Sequence, residues 1–456
     1  MSRLRSGPRR ALVLSVLTVL ALLGGSSVAT AAPSHPTGPG DGNRTLEVDV
    51  TNSPTDLNGR PTIAVNPRNP NNLVFTATVF GSAVAASAPC FVAYSMDRGQ
   101  TWTHVPWPLG DRPFCGESQV AVDSHGTFYL DMNQLGCPPG NPGPEFVCDL
   151  ANHTAVSTST DGGATWSAPV QTPLTVAANA HLEVDLRTGK LYAEGATSFL
   201  WPGGISVSSD HGQTWSSPVP AIPNPAPCTP PAPGFGCGTD PYIAVYDGIL
   251  ATAYESPTSG LVFNVSTNDG QTFTTVPVTD SHGNPVPPAT TSSVLFGFPE
   301  PLIAADPTHP GRFAVAIPRG TPNTFQVYIT SDAGRTWDGP TVIQAPLAFH
   351  PAMAFGTQGW LGIMWRAGTD PAGGENVFAA VSLNHGRSFS PPVQVNAVTE
   401  PIHNAGQPPG DTGASGIDLA NGNVYVVWSD GRNSAAPYTD AIFARVPINT
   451  FQAAGQ

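Results

Sequence analysis

Ser95-Met96-Asp97-Arg98-Gly99-Gln100-Thr101-Trp102 decides the reading of this 456-residue chain, because it recurs. The same eight-residue phrase returns at 159–166, 208–215 and 330–337. Looser copies at 266–273 and 382–389 carry Asn268 and Asn384 at the third position and end on Phe. The third positions, 97, 161, 210, 268, 332 and 384, stand 64, 49, 58, 64 and 52 residues apart. A repeat of that period marks one supersecondary unit, so the chain reads as an array of such units.

Each position of the phrase has a mechanical job. A short carboxylate or amide at the third position bonds backbone N–H groups further along and closes a tight turn. Gly at the fifth position supplies a backbone angle that other residues resist. The Ser and Thr hydroxyls bond across the turn, and the terminal Trp or Phe is an apolar plug for a neighbouring strand. Asn serves such a turn nearly as well as Asp, so all six copies are expected to fold alike.

The segments between copies share a grammar of apolar strand, turn, second strand, loop and third strand. Seven first strands are legible, beginning near residues 62, 119, 181, 242, 302, 352 and 415. The seventh unit lacks the phrase and a fourth strand. Thr45-Leu46-Glu47-Val48-Asp49-Val50, apolar at alternate positions, is available to fill that outer place and remove an exposed sheet edge. The fold class is therefore all-β, a β-propeller of seven four-stranded blades closed by the N-terminal strand. Helix is nearly absent, since no segment after residue 32 shows a 3.6-residue apolar period.

The six phrases resemble the Asp-box, or BNR repeat, of the sialidase superfamily. The resemblance covers nearly all of the chain after residue 44. It implies a propeller in which Asp97, Asp161, Asp210, Asn268, Asp332 and Asn384 are structural turn-makers, and it offers the six-bladed sialidase ring as an alternative to seven blades.

Residues 1–31 combine a basic start, an apolar run from 11 to 23 and Ala29-Thr30-Ala31, which reads as a secretory signal peptide too short to span a membrane. Residues 32–43 read as a flexible linker and 44–450 as one propeller domain. A secreted, extracellular location follows as the expectation. Six cysteines then face an oxidising compartment. Proximity pairs Cys137 with Cys148 and Cys228 with Cys237, which leaves Cys90 with Cys115. The 18 basic residues, less Arg3, Arg5, Arg9 and Arg10 of the leader, leave 14 against 32 acidic ones, a formal charge of −18. That surface argues against nucleic acid and anionic membranes as partners. An extracellular glycan or glycoprotein is the expected partner and a monomer the expected state.

In propellers of the resembling family the boxes lie on the face away from the pocket. The pocket face then collects a first set of residues ahead of the first strands, which includes Arg60, Glu117, Asp240, Glu300 and His350. Arg60, Asp240, Glu300 and His350 each precede a proline, a recurring polar-Pro step that suggests a polar ring around the channel mouth. Glu117, Asp240 and Glu300 with His350 would favour calcium if they held a cation; no cofactor is required and no Cys/His spacing suggests zinc. A second set, in the loops between second and third strands, includes Asp131, Tyr254, Glu255, Arg319, Trp365, Arg366, Asp430, Arg432 and Tyr438.

A sialidase of this type needs three arginines on the substrate carboxylate, a Tyr nucleophile activated by Glu, and an acid/base carboxylate. Arg60, Arg319, Arg366 and Arg432 are the candidate clamp, with Glu117, Asp240 or Glu300 moving protons and Tyr254 with Glu255, or Tyr438, as nucleophile. Trp365 and Tyr254 would stack on sugar faces. The opening strand reads Asn58-Gly59-Arg60-Pro61, with Gly in place of the family's aromatic and an Arg–Pro spacing one residue short. Three functions stay open: an exo-glycosidase acting on terminal acidic sugars, a non-catalytic glycan- or protein-binding propeller, and a polysaccharide lyase with a His350 or Tyr254 base.

Overall fold

The recurring phrase forms the same turn each time. The computed structural model describes residues 44–82, 90–108, 114–135, 153–175, 181–196, 203–221, 242–256, 259–288, 301–319, 324–368, 374–401, 416–436 and 438–453. In the first turn the Ser95 hydroxyl donates to Asp97 Oδ1 (2.8 Å) and accepts from the Gly99 N–H (2.8 Å). The Asp97 carboxylate accepts from the Thr101 N–H (2.9 Å) and hydroxyl (2.6 Å). Asn268 closes its turn equally: its Oδ1 accepts from the Thr272 N–H (3.0 Å) and its Nδ2 donates to the Thr272 hydroxyl (2.9 Å). The fifth-position glycine is required twice over. Gly163 has φ +93°, and a Cβ there would stand 2.6 Å from Val74 Cγ2 in the preceding blade.

These turns join the third and fourth strands of six antiparallel sheets. Strand β1 (Leu46–Asp49) is set aside for the seventh. Blade 1 is β2 (Asp56–Val65), β3 (Leu73–Ser82), β4 (Phe91–Ser95) and β5 (Thr103–His104). Blade 2 is β6 (Phe114–Val122), β7 (Phe128–Leu135), β8 (His153–Ser159) and β9 (Val170–Gln171). Blade 3 is β10 (His181–Val184), β11 (Leu191–Ala196), β12 (Gly203–Ser208) and β13 (Val219–Pro220). Blade 4 is β14 (Ile243–Tyr246), β15 (Ile249–Ser256), β16 (Gly260–Ser266) and β17 (Thr274–Pro277). Blade 5 is β18 (Leu302–Ala305), β19 (Phe313–Arg319), β20 (Thr324–Thr330) and β21 (Asp338–Gln344). Blade 6 is β22 (Ala348–Phe355), β23 (Leu361–Gly368), β24 (Glu375–Ser382) and β25 (Val393–Gln394). Blade 7 is β26 (Gly416–Ala420), β27 (Asn423–Asp430) and β28 (Asp440–Pro447), completed on its outer edge by β1. The ring therefore has seven four-stranded blades and is closed by the N-terminal strand, as the sequence leads one to expect.

Seven apolar clusters fill the seven blade junctions, and the turn aromatics plug six of them. Trp102 enters the core between blades 7 and 1, Trp166 that of 1 and 2, and Trp215 that of 2 and 3. Phe273, Trp337 and Phe389 follow at the next three junctions. The junction of blades 6 and 7 has no such turn. There the short helix α1 (Ile448–Ala453) follows the third strand and inserts Phe451 into the core. The Ile448 N–H donates to Gly422 O (2.9 Å), just as Arg98 N–H donates to Asn71 O (2.9 Å) and Ala333 N–H to Gly311 O (2.8 Å). The helix thus takes the seventh turn's place, which the missing apolar period did not reveal.

The variable fourth residue of the turn often staples its blade to the one before. His211 meets the Tyr129 hydroxyl (2.8 Å), Asp269 receives Tyr192 (2.6 Å) and Lys190 (2.7 Å), and His385 meets Asp306 (2.9 Å). Because the turns contact the loops between first and second strands, both lie on one face. The loops between second and third strands, and the entries into the first strands, lie on the other. That second face holds the candidate site. Residues 1–43, the pairs Cys137–Cys148 and Cys228–Cys237, Asp240 and Glu300 fall outside the described residues. The Cys90–Cys115 disulfide is present and ties blade 1 to blade 2.

Candidate functional site

Three first strands bulge where they enter the sheet. The pairing slips between Gly59 and Thr62 in β2, between Gly116 and Ser118 in β6, and between Phe349 and Ala352 in β22. Arg60 (φ 47°), Glu117 (φ 24°) and His350 (φ 46°) occupy the bulges in the left-handed region. Such a backbone costs on the order of 1–3 kcal/mol for a residue other than glycine. A bulge re-aims a side chain, and Arg60 and Glu117 of the first set line the channel while the His350 ring is buried against Phe349. Arg60 and Glu117 form an ion pair across blades 1 and 2, and both line the axial channel.

That channel has a volume of about 340 Å³ and is walled by the first strands of all seven blades. One level of it is set by Ala64, Ala121, Ala244, Ala304 and Ala354, which pair with the second strands at matching registers. Glu183 and Asp418 take the same register in blades 3 and 7. Burial pushes Glu183 up to about 8. It pushes Asp418 up to about 6, against the pull of the Val65 and Leu419 N–H groups. Burial drives His181, 3.4 Å from Glu183, down to about 4, so its imidazole is neutral near neutral pH.

The four candidate arginines do not share one anion-binding point; each is committed to a carboxylate of the chain. Arg60 pairs with Glu117. Arg319 grips Glu255 with both terminal nitrogens (2.8 and 3.2 Å) across blades 4 and 5. Arg366 pairs with Glu375 within blade 6. Arg432 binds Asp430 through Nε (2.7 Å) and also pairs with Glu47 of the ring-closing strand. Glu255 is therefore turned to Arg319. Tyr254, its neighbour on β15, points to the opposite face of the sheet, as successive strand residues must. Burial raises the Tyr254 phenol, the reverse of what activates a nucleophile. Tyr438 is half-buried, with its N–H donated to Ala435 O (2.9 Å).

Trp365 requires a correction. It is 1% exposed and packs between blades 5 and 6, 5.5 Å from the Phe325 ring and stacked at 6.0 Å on Phe378. Its strand has neighbours on both sides, so no alternation of polar and apolar residues marks which side chains reach the rim. Trp365 is interblade core, not a sugar platform.

Sequence reasoning missed Glu375, Glu400 and Glu47, which join Arg366, Asp430 and Arg432 at the junction of blades 6 and 7. Glu400 is fully buried. Burial, with Asp430 beside it, holds its carboxyl well above the ordinary range. Burial lowers the Arg366 guanidinium, while Glu400 and Asp430 pull it back up. Burial also drives His350 down to about 3, helped by Arg366 and Arg60, so its imidazole is neutral. One signal for Glu400 was readable: Glu400-Pro401 repeats the polar-Pro step. The expected cation set of Glu117, Asp240, Glu300 and His350 is half outside the described residues. Among the described ones no group of three or more His, Cys, Asp or Glu is placed to hold a metal ion.

Asp131, from the second set, is buried on β7 with no hydrogen-bond partner on its carboxyl oxygens. Burial pushes it up to about 7, against a weaker pull from the Met132 backbone. A carboxyl raised on folding leaves the protein most stable below its unfolded value. That contribution is lost as pH rises through the folded one, here between about 4 and 7. Asp131→Asn is accordingly expected to stabilise the protein by about 2–4 kcal/mol at pH 8 and by much less at pH 4. Urea unfolding at the two pH values checks this, and equal effects at both would contradict the burial of an ionisable group.

No family model matches the chain, and no curated protein matches it. Among solved structures it is similar to a protein of unknown function from Dyadobacter fermentans DSM 18053, at 14% identity over 90% of this chain and 100% of that one, TM-score 0.46. It is similar to the Hadza microbial sialidase Hz136, at 15% identity over 89% of this chain and 69% of that one, TM-score 0.47. It is also similar to the NanB sialidase from Streptococcus pneumoniae, at 13% identity over 88% and 70%, TM-score 0.43. Likeness at this level says nothing about activity or substrate.

Proposed function

We propose that the chain is a secreted, sialidase-like propeller that binds an extracellular glycan or glycoprotein at its channel mouth without hydrolysing it. The supporting observation is the commitment of Arg60, Arg319, Arg366 and Arg432 to four different carboxylate partners within the chain. A guanidinium already paired with a protein carboxylate has less to offer an acidic sugar. The pair still offers donors and acceptors side by side, which suits hydroxyl groups. The separation of Tyr254 from Glu255 supports the same reading, since it removes the base a tyrosine nucleophile needs. Secretion is supported by the leader-like residues 1–31 and by the Cys90–Cys115 disulfide. Neither metal nor cofactor has a part in this reading.

One observation favours hydrolysis instead: Glu400, its carboxyl raised by burial and by Asp430, stands beside a second carboxyl group. Both groups are buried, which weighs against their reaching a substrate.

A glycan array probed with the purified chain from residue 32 onward tests the binding reading. Specific spots are expected, with affinity for them reduced about tenfold in Arg60→Met, the size of one charged hydrogen bond. An array with no binding to any glycan would overturn it.

A further inference from the structure

We propose that the axial channel binds a protonated primary amine on an unbranched alkyl stem, with Glu183 as the group that receives the ammonium; this goes beyond the glycan-binding reading and does not depend on it. The channel is a cavity of about 340 Å³, and Thr62, Gln119, His181, Glu183 and Asp418 all line it. At the level of Glu183 five of the seven blades present alanine, which makes a collar of small side chains. Glu183 of blade 3 and Asp418 of blade 7 interrupt the collar, as nearly opposite each other as a ring of seven allows. The first strand is the inner edge of every blade, so alternate N–H and C=O groups of these strands turn into the channel. Polar side chains of the wall take up N–H groups of the next blade. Thr62 Oγ1 accepts from Val120 (3.1 Å), Gln119 Oε1 from Leu182 (2.7 Å), His181 Nδ1 from Ile243 (3.4 Å) and Asp418 Oδ2 from Val65 (2.9 Å). Glu183 breaks the pattern. Among the described residues its polar neighbour is His181 on its own strand, with Nε2 3.4 Å from Oε1, and no N–H of blade 4 is bonded to it. His181 accepts at Nδ1, so its ring proton sits on Nε2 and faces that oxygen. Glu183 keeps 35% of its side-chain surface accessible, so a guest in the channel reaches it.

The charges on the wall name the class of guest. Arg60 is paired with Glu117, and the channel lining holds no lysine and no second arginine among the described residues. Glu183 and Asp418 therefore face the channel without a counter-charge, which disfavours an anion and favours a cation. A metal ion lacks ligands, since no group of three or more His, Cys, Asp or Glu among the described residues is placed to hold one. An ammonium needs no such shell. It donates three hydrogen bonds, which the Glu183 carboxylate and inward-facing backbone carbonyls accept, while its alkyl stem lies along the alanine collar.

Binding also moves a proton. Burial raises Glu183 to about 8, so at pH 7 the arriving ammonium displaces the carboxyl proton to the buffer. The titratable and charged groups around Glu183 are His181 on its own strand, Tyr192 beside it in register on β11, Tyr242 and Tyr246 of blade 4, and Asp418, Arg60 and Glu117 elsewhere on the wall. Asp418, raised to about 6, gives up its proton before Glu183 does, so the change between pH 7 and 8 belongs to Glu183.

The test is calorimetric titration of the chain from residue 32 onward with n-pentylamine, 1-pentanol and Nα-acetyl-lysine amide, in phosphate and in HEPES at pH 7. Pentylamine is expected to bind at least about tenfold more tightly than pentanol. Its binding heat is expected to differ between the buffers by the release of about one proton. Affinity is expected to rise from pH 6 to pH 8, where the amine itself stays protonated. Equal affinity for acetyl-lysine amide identifies a lysine side chain of a partner as a source of the ammonium, and binding of pentylamine alone assigns the site to free amines. Glu183→Ala gives blade 3 the residue that five other blades carry at this level, so it is expected to melt like the parent; Glu183→Gln keeps the shape and removes the charge. Both are expected to weaken pentylamine about tenfold or more and to abolish the buffer difference. Absence of amine binding, equal binding of pentanol, equal heats in the two buffers, or unchanged affinity in a folded variant overturns the proposal. The buffer and pentanol comparisons need only the parent chain, so they decide the matter even if neither variant folds.

Discussion

A chain that begins at residue 52 is expected to lose about 5 kcal/mol or more of stability and to aggregate. Strand β1 is only four residues long, but it is the outer strand of blade 7, paired from Leu46 with Arg445 to Asp49 with Ile442. Val48 and Val50 bury their side chains in the core between blades 7 and 1. Two buried valines contribute about 1.5–3 kcal/mol each, and the lost ladder bonds about 1 kcal/mol apiece. Glu47 adds the ion pair to Arg432 and accepts the Ala397 N–H (2.9 Å), so the strand also holds blade 6 to blade 7. Its removal bares the edge of β28, whose eight residues are all buried, and an exposed apolar edge invites pairing with another chain. Thermal melts should show a drop of about 5–10 °C, with higher-mass species on gel filtration. A truncated chain that stays monomeric and melts within about 2 °C of the parent would mean the ring does not depend on this closure.

Trp365→Ala is expected to cost about 3–5 kcal/mol, the usual consequence of emptying a large aromatic site in a core. The ring is enclosed by Phe325 and Phe378 and belongs to the cluster joining blades 5 and 6. Trp365→Phe keeps most of that packing and should cost far less. Any glycan affinity that survives in either variant should match the parent's, since the indole is buried in the interblade core and does not line the channel. Equilibrium unfolding combined with the glycan array separates the two roles. Unaltered stability with lost binding would restore Trp365 to the rim as a sugar platform.

The same residue shows where the sequence stops being informative. The turn phrase is local: Ser95, Asp97, Gly99 and Thr101 bond among themselves, so eight residues carry the whole motif and its spacing gives the ring. The closing strand was legible because its apolar residues alternate at a chain end that had no other use. The seventh plug was not, because α1 makes the same contacts as a turn with a different backbone. The site was harder still. Arg60, Glu117 and His350 stood out by their place ahead of first strands; all three sit in bulges, and Arg60 and Glu117 line the channel. Their partners are set by ring geometry: Arg319 meets Glu255 sixty-four residues away, and Arg432 meets Glu47 across 385. No local pattern encodes such pairs. That is why a list of arginines suggested an anion clamp and the folded chain shows each of the four paired with a carboxylate of its own.

Hydrolysis of a fluorogenic sialoside by the purified protein, followed from pH 4 to 8, is the most direct test of that conclusion. The expected result is release no faster than in buffer alone at every pH, from protein that still binds glycans on the array. Turnover that disappears in Tyr254→Phe or Tyr438→Phe would contradict it, because a working tyrosine and an open arginine clamp would then have to exist in this mouth.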